Sequence, residues 1–468
     1  MTSLFGVLNN TASNLRMIQG QLSVVAENVA SADDPNRSRH VLERTIDASG
    51  NPMVAQYRRE VDVALRVQLQ QTISEESNAS TLSSYMRKVT DLLGTTAGTP
   101  PLTDSMQKFQ AAWMELEATP ESTVAQGQIV TYGDDVAREL RRLTLGVGDL
   151  KREIDTDIQG SVDQLNTALT TIDKLNDDIL ASKGAGESTM NLEDKRDQLI
   201  REVSSLMSVR TVERGDGKLS IFTSSGVSLL DAAPVKFSYS NGMLRSSGSD
   251  RALNDQINDG KLGALLQMSA DGSTAIPPQP ASTQPGAEII RKLNSQLQGL
   301  GEAFLGSTKP GEPTSFADAY NQASPALDHE QANRFFVGNG AGDIQLNPAL
   351  LSGEKQIKQS AITGVTQSLS ASGRSLNADG LRITSVSYSS MVSTVIGSWS
   401  TNAKVTHEQA TIATDFKSQL DSRYKNNTGV NMDEEIAMLQ VLQRNYSAAA
   451  RVMQTVNNML DAIEGIVR

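Results

Sequence analysis

GVNMDEEIAMLQVLQRNYSAAARVMQTVNNMLDAIEGIVR, residues 429–468, sets apolar side chains at Leu439, Leu442, Tyr446, Ala449, Met453, Val456, Leu460, Ile463 and Val467. The steps alternate between three and four without a break. That is the heptad seam of a helix built to bury one narrow stripe against another helix. Asn431, with Glu434 three residues on, reads as its N-terminal cap. From Leu439 to Val467 the seam runs roughly 42 Å at 1.5 Å per residue. The opposite end repeats the pattern at Leu4, Leu8, Thr11, Leu15, Ile18, Leu22, Val25 and Val29, interrupted only by Thr11. Asp34-Pro35 disfavours further helix. Two seams at the two extremes imply that the ends pair with each other or with other copies. The candidate assembly interface is therefore Leu4, Leu8, Leu15, Ile18, Leu22, Val25 and Val29 together with the C-terminal seam. Each end helix alone is marginal, so both ends are expected to be largely disordered in the soluble monomer and to fold when subunits pack.

Between the ends the periodicity predicts helices over 61–93, 102–118, 124–182 and 192–207, then again over 262–268, 288–305 and 388–424. The middle of the first, 68–80, is polar and looks weakly held. Strand signals fall between. Val209–Val212 and Lys218–Phe222 alternate around Gly215-Asp216-Gly217, a hairpin pattern. Short runs at 226–230, 235–239, 243–245, 334–337 and 343–346 continue it. Residues 276–286 and 308–314 read as loops. The expected fold class is mainly α, a long helical bundle or coiled-coil stalk, with an inserted β-containing α+β domain that holds all the strand signals. The expected boundaries are 1–35 and 430–468 for the terminal coiled coil, 36–204 and 351–429 for the helical stalk, and 205–350 for the inserted outer domain.

Composition narrows function. The chain has 468 residues, enough for two to four domains. Aromatics are only 4%, which argues against a large aromatic core. The net charge of −12 repels phosphate and disfavours nucleic acid. The short basic spots at 37–39, 58–59 and 141–142 are flanked by acids and read as solvated helix faces. With no cysteine, disulfides, thiolate zinc sites and thiol catalysis are excluded. No apolar run approaches the roughly 20 residues of a membrane span. The first fifteen residues lack a basic start and are broken by Asn9, Asn10 and Asn14, unlike a cleavable signal peptide.

Motifs for chemistry are missing. The three histidines are His40, His329 and His407. His407-Glu408 opens a zinc-protease pattern, but Thr411 stands where the second ligand belongs. Asp328-His329-Glu330 sits in a polar loop without a nucleophile motif. Gly306–Gly311 lacks the Gly-Lys-Ser/Thr of a phosphate loop, and Gly338–Gly342 lies between strand signals and reads as a tight turn. No catalytic, cofactor-binding or metal site is expected.

The two ends resemble those of bacterial flagellar axial proteins. At the C-terminus the resemblance rests on Gly429-Val430-Asn431-Met432-Asp433-Glu434-Glu435, Gln443, Tyr446, Ala449, Arg451-Val452, Thr455-Val456 and Met459-Leu460. At the N-terminus it rests on Leu15, Leu22 and Glu27-Asn28-Val29-Ala30. Within that superfamily, Asp194-Lys195-Arg196-Asp197-Gln198-Leu199-Ile200, Val203-Ser204, the following hairpin and Gly226 are similar to the hook-associated protein 1 family. Phe109, Trp113, Pro120-Glu121-Ser122, the run from Gly260 to Leu266 and Phe335-Phe336 fit the same family. The run Asn36-Arg37-Ser38-Arg39-His40 departs from the family's usual Gly-Tyr-x-Arg-Gln, and Gln126-Gly127 departs where an Arg is usual.

The resemblance implies a structural subunit of the extracellular flagellum, not an enzyme. Such proteins are exported by the flagellar secretion apparatus without signal cleavage, with an export chaperone. They join copies of themselves in a helical ring, with hook protein below and the second hook-associated junction protein above. The terminal helices would form the inner layer, the stalk the next, and the insert would face outward. No cofactor, nucleic acid or membrane insertion is implied. The rival readings are another axial component, such as a hook or rod subunit, and a cytosolic coiled-coil scaffold.

Overall fold

The computed structural model describes residues 2–46, 52–95, 98–215, 217–249, 251–270, 286–321 and 333–467. The chain is mainly helical with five small antiparallel sheets among the described residues. The spine is α4, Thr123–Ala185, a 63-residue helix spanning roughly 95 Å at 1.5 Å per residue. Ser122 caps its start, and Gly186 ends it at φ 74°, where a side chain would be strained. Its buried stripe, from Ile129 through Leu140, Val147, Ile154, Ile158 and Leu165 to Ile172, belongs to one continuous core. Against it lie α3 (Pro101–Ala118) and α5 (Met190–Leu206).

Alongside runs an antiparallel pair, α2 (Val63–Leu93) and α11 (Tyr388–Thr428). Leu65 and Leu69 pack on Leu420 and Tyr424, while Glu76 meets Thr414 further along. The polar middle of α2 is thus held by α11, with Leu69, Gln70, Thr72 and Ser74 buried.

The insert begins with β3 (Val209–Glu213), β4 (Leu219–Thr223) and β5 (Ser228–Leu230) in one sheet. The pairing of Val209 with Thr223 and Glu213 with Leu219 places the turn where the Gly-rich signal predicts it. The next hairpin is β6 (Phe237–Ser240) and β7 (Met243–Ser246). It turns through Asn241 and Gly242, both at positive φ. Then come α6 (Gly260–Ser269), α7 (Ile289–Leu305), α8 (Phe316–Asn321), the two-residue strands β8 (Phe336–Val337) and β9 (Gln345–Leu346), α9 (Pro348–Leu351) and α10 (Ile362–Ser370).

Two expectations need correction at this level. Strands are not confined to 205–350. A hairpin of β1 (Arg39–Ile46) and β2 (Pro52–Glu60) follows the first helix, and a second, β10 (Arg374–Ala378) and β11 (Leu381–Val386), precedes α11. The first is rich in charge and buries little of its own, so its alternation is faint. The second turns at Asp379-Gly380, with Gly380 at φ 72°. Aromatics, in turn, are scarce but concentrated. Phe109, Trp113, Phe304, Phe316, Tyr320, Phe335, Phe336 and Tyr388 form one cluster with ring centroids as close as 4.8 Å.

The close fit of the 340–341 turn onto α7 is testable at Gly301. A Cβ there would lie 2.5 Å from the Ala341 backbone nitrogen. Gly301→Ala is expected to cost about 1–3 kcal/mol, read as a lower urea midpoint at unchanged slope. An unchanged midpoint would mean that the 340–341 turn yields without cost.

Candidate assembly interface and the polar knot at its base

The two end helices, α1 (Thr2–Ala30) and α12 (Met432–Val467), pair antiparallel. Asn28 meets Glu435 at one end of the pair, and Gln19 donates to the Tyr446 hydroxyl at 3.3 Å further along. Asn431 caps α12 as its spacing suggests, accepting from the Asp433 and Glu434 amides at 3.1 and 3.4 Å. Ile18, Val25, Leu442 and Ala449 form a buried cluster, with Leu15, Leu22, Leu439 and Tyr446 half-buried around it. Val456 is buried too, while Leu8, Val29, Met453 and Leu460 are half-buried. The side chains of Leu4, Ile463 and Val467 lie outside the described residues. The cluster is separate from the main core.

One chain does not cover all the apolar surface of α12. Met438, Val441, Val452 and Met459 are 44–51% exposed. Each sits one position ahead of a seam residue, so they form a second stripe about 100° around the helix.

At the base of this pair lies a polar knot. Asn28 is fully buried, donates to the His40 carbonyl at 2.9 Å and to Glu435 Oε2 at 3.1 Å, and accepts from the His40 amide at 3.2 Å. Glu435, 1% exposed, also accepts from Arg39 Nε at 2.7 Å. Arg37 Nη2 donates to Glu27 at 2.8 Å and to His40 Nδ1 at 3.0 Å. A guanidinium only donates, so Nδ1 accepts and Nε2 carries the ring proton. That Nε2 donates to Asp194 Oδ2 at 2.8 Å. Ser38 Oγ donates to the other oxygen at 2.6 Å. Arg59 Nη1 reaches both Asp194 at 2.8 Å and Asp197 at 3.0 Å, and its Nε reaches Glu193 at 2.9 Å. Arg66 adds a bond to Asp197 at 3.2 Å.

The knot joins α1, β1, β2, α2, α5 and α12. Hydrophobic contact reinforces it, since Leu42 on β1 packs against Met17 and Val24 of α1. Burial alone would raise the Asp194 carboxyl. Hydrogen bonds from His40, Ser38 and Arg59 outweigh it and hold the group below its ordinary value. Burial likewise disfavours the Arg59 charge, but Asp197 and Asp194 overcome that and keep the guanidinium firmly protonated. Glu27 is held low by hydrogen bonds from Asn191 and Arg37.

Arg37, Arg39 and Arg59 are therefore not on solvated helix faces, which corrects the sequence reading, whereas Arg58 stays 52% exposed on β2, paired with Glu43. The carboxylates of α5 and α12 draw Arg37, Arg39 and Arg59 inward. At 141–142 the surface reading is closer. Arg142 pairs with Glu139 on its own helix, whereas Arg141 donates to the Ile344 carbonyl. The departure at Asn36–His40 supplies the knot's central strap.

The chemistry candidates do not assemble. His407 is exposed, and the Thr411 hydroxyl bonds its carbonyl at 3.0 Å. Asp328-His329-Glu330 lies outside the described residues. Gly338–Gly342 is a turn held by Asp343, which accepts the Asn339 and Gly340 amides at 2.8 Å. Among the described residues no group of His, Asp and Glu is arranged to hold a metal, and no helix is long and apolar enough to cross a membrane.

Known proteins show the same arrangement of sequence. The family model described as the flagellar hook-associated protein FlgK helical domain matches residues 86–305. The model described as the flagellar basal body rod FlgEFG protein C-terminal matches residues 422–466. The chain is 23% identical to flagellar hook-associated protein 1 of Escherichia coli (strain K12), over 98% of this chain and 99% of that one. It is 22% identical to the protein of that name from Salmonella typhimurium, with coverage of 98% and 99%. For that of Bacillus subtilis (strain 168) the identity is 21%, with coverage of 99% and 98%. Among solved structures, the flagellar hook junction protein FlgK from Burkholderia pseudomallei matches at a TM-score of 0.42 and 18% identity. That match covers 53% of this chain and 46% of that chain.

Proposed function

The chain belongs to the flagellar hook-associated protein 1 family of structural flagellar proteins, and we propose that its paired end helices are the surface through which copies of it join at the junction between hook and filament. The observation that carries this is the second apolar stripe of α12. Met438, Val441, Val452 and Met459 stay exposed although the seam beside them is already paired with α1. An apolar stripe continuous with a coiled-coil seam fits a further helix, and identical neighbours in a ring supply one.

The remaining roles follow from this reading. Hook protein lies below the ring and the second hook-associated junction protein above it. The stalk, residues 36–204 and 351–429, surrounds the terminal layer, and the insert, 205–350, faces outward. The chain reaches its place through the flagellar export apparatus without signal cleavage, accompanied by an export chaperone. Its part is mechanical and needs no catalysis. A hook or rod subunit is disfavoured by the match across residues 86–305, which is specific to the hook-associated protein.

Cells lacking the gene test the reading. Electron microscopy should show hooks without filaments, and flagellin should accumulate in the medium. Missing hooks would move the protein to the rod or hook, and intact filaments would remove it from the junction.

A further inference from the structure

The seam that pairs α1 with α12 does not by itself say which residues lie opposite each other. The offset that brings Asn28 to Glu435 and Gln19 near Tyr446 sets Leu22 level with Leu442 and Val25 level with Leu439. Leu4 then stands level with Leu460, and Val29 falls level with the charged Glu435. The C-terminal seam continues past that point to Ile463 and Val467. Sliding α12 by one heptad, about 10.5 Å, would set Val29 against Leu442, Leu22 against Ala449 and Leu4 against Val467. Every position of the α1 seam would then face a seam residue of α12. Apolar pairing therefore gives the observed offset no advantage over the shifted one.

The polar groups separate the two. Glu435 is 1% exposed and Asn28 is fully buried, and the bond between them forms only at the observed offset. The shift would carry the carboxylate beyond reach of both Asn28 and Arg39. Asn28 would keep its bonds to His40 and Arg39 Nη1 its pair with Glu60 at 3.1 Å, but the buried carboxylate and the Arg39 Nε would each lose their partner. One buried polar contact within an apolar seam is a known means of choosing register. We infer that Glu435, gripped by Arg39 and Asn28, is the register-determining residue of the terminal coiled coil. It selects this pairing over a one-heptad slip that the seam tolerates. The competing determinant is the short Gly429-Val430-Asn431 connection, which tethers α12 to α11.

The chain has no cysteine, so disulfide trapping reads the register without background. Two full-length variants are needed. L22C/L442C reports the observed offset and L22C/A449C the shifted one. Each is oxidised in purified protein, and the ratio of the two cross-linking rates is measured. This readout is independent of whether the protein sits at the junction in cells. With Glu435 present the ratio should favour L22C/L442C by about tenfold or more, a modest share of what one buried charge pair is worth. In Glu435→Ala, and again in Arg39→Met, it should fall toward unity. A ratio unchanged by Glu435→Ala would assign the register to the tether. A ratio near unity in the parent chain would show that no register is chosen. Equal loss of both cross-links would show that Glu435 holds the ends together without choosing between offsets. Any of these three results overturns the inference.

Discussion

Replacing Asp194 with alanine is expected to lower the unfolding free energy by about 3–5 kcal/mol, the cost of leaving buried cationic and donor groups without their central anion. The carboxylate receives His40, Ser38 and Arg59 at 2.6–2.8 Å, and its side chain is 9% exposed. The loss should also be local in a recognisable way. The hairpin carries Leu42, which packs on α1, so amide exchange should accelerate in α1 and β1 before it does in α4.

Acidity gives a second reading of the same group. A carboxyl whose folded value is depressed stabilises the fold in full above its unfolded value, about 3.9. That contribution fades as pH falls through the lower folded value. Hydrogen bonds in the knot depress Asp194 against the opposing effect of burial. The parent chain should therefore lose stability on acidification below the ordinary carboxylate range, and Asp194→Asn should lose less over the same interval. Parallel pH profiles for the two proteins would mean that the knot holds Asp194 no more tightly when folded than when unfolded.

How much of this was legible depends on distance along the chain. The end helices and α4 are plain in the sequence because an apolar repeat of about 3.5 residues, sustained over many turns, matches the period of a helix and not that of a strand. The cap at Asn431 and the glycine end of α4 are equally local. The β10–β11 hairpin was legible in principle, since Asp379-Gly380 between apolar runs is a strong two-residue turn signal. The β1–β2 hairpin was not. Charged residues interrupt both of its strands, and its one well-buried apolar side chain among those described, Leu42, is held by another element. The knot is the extreme case. Arg59 finds Asp194 across 135 positions, and Arg39 finds Glu435 across 396. Each charge viewed alone is an ordinary surface residue. Only the fold brings them together, and with them the departure at Asn36–His40 acquires a role. The Asp194–Asp197 motif carried the family resemblance, but its partners could be identified only in three dimensions.

Leu442→Asp is expected to abolish incorporation at the junction while leaving the rest of the chain folded. Leu442 is 6% exposed and sits at the centre of the cluster with Ile18, Val25 and Ala449. A carboxylate placed there has no cation beside it in that cluster. Leaving it buried costs about 3 kcal/mol or more, roughly a hundredfold in the pairing of the end helices. The main core shares no residue with this cluster, so the urea midpoint of the stalk and insert should stay within error of the parent. A companion substitution separates two steps. Val452→Asp alters the exposed stripe, where Val452 is 48% exposed, and should leave α1 paired with α12. If that stripe is where the next copy sits, Val452→Asp will keep native amide protection in α1 yet fail to support filaments in cells that lack the parent gene. Normal filament growth with Leu442→Asp would refute the seam as an assembly surface. Normal growth with Val452→Asp alone would confine assembly to the seam and leave the second stripe without a partner.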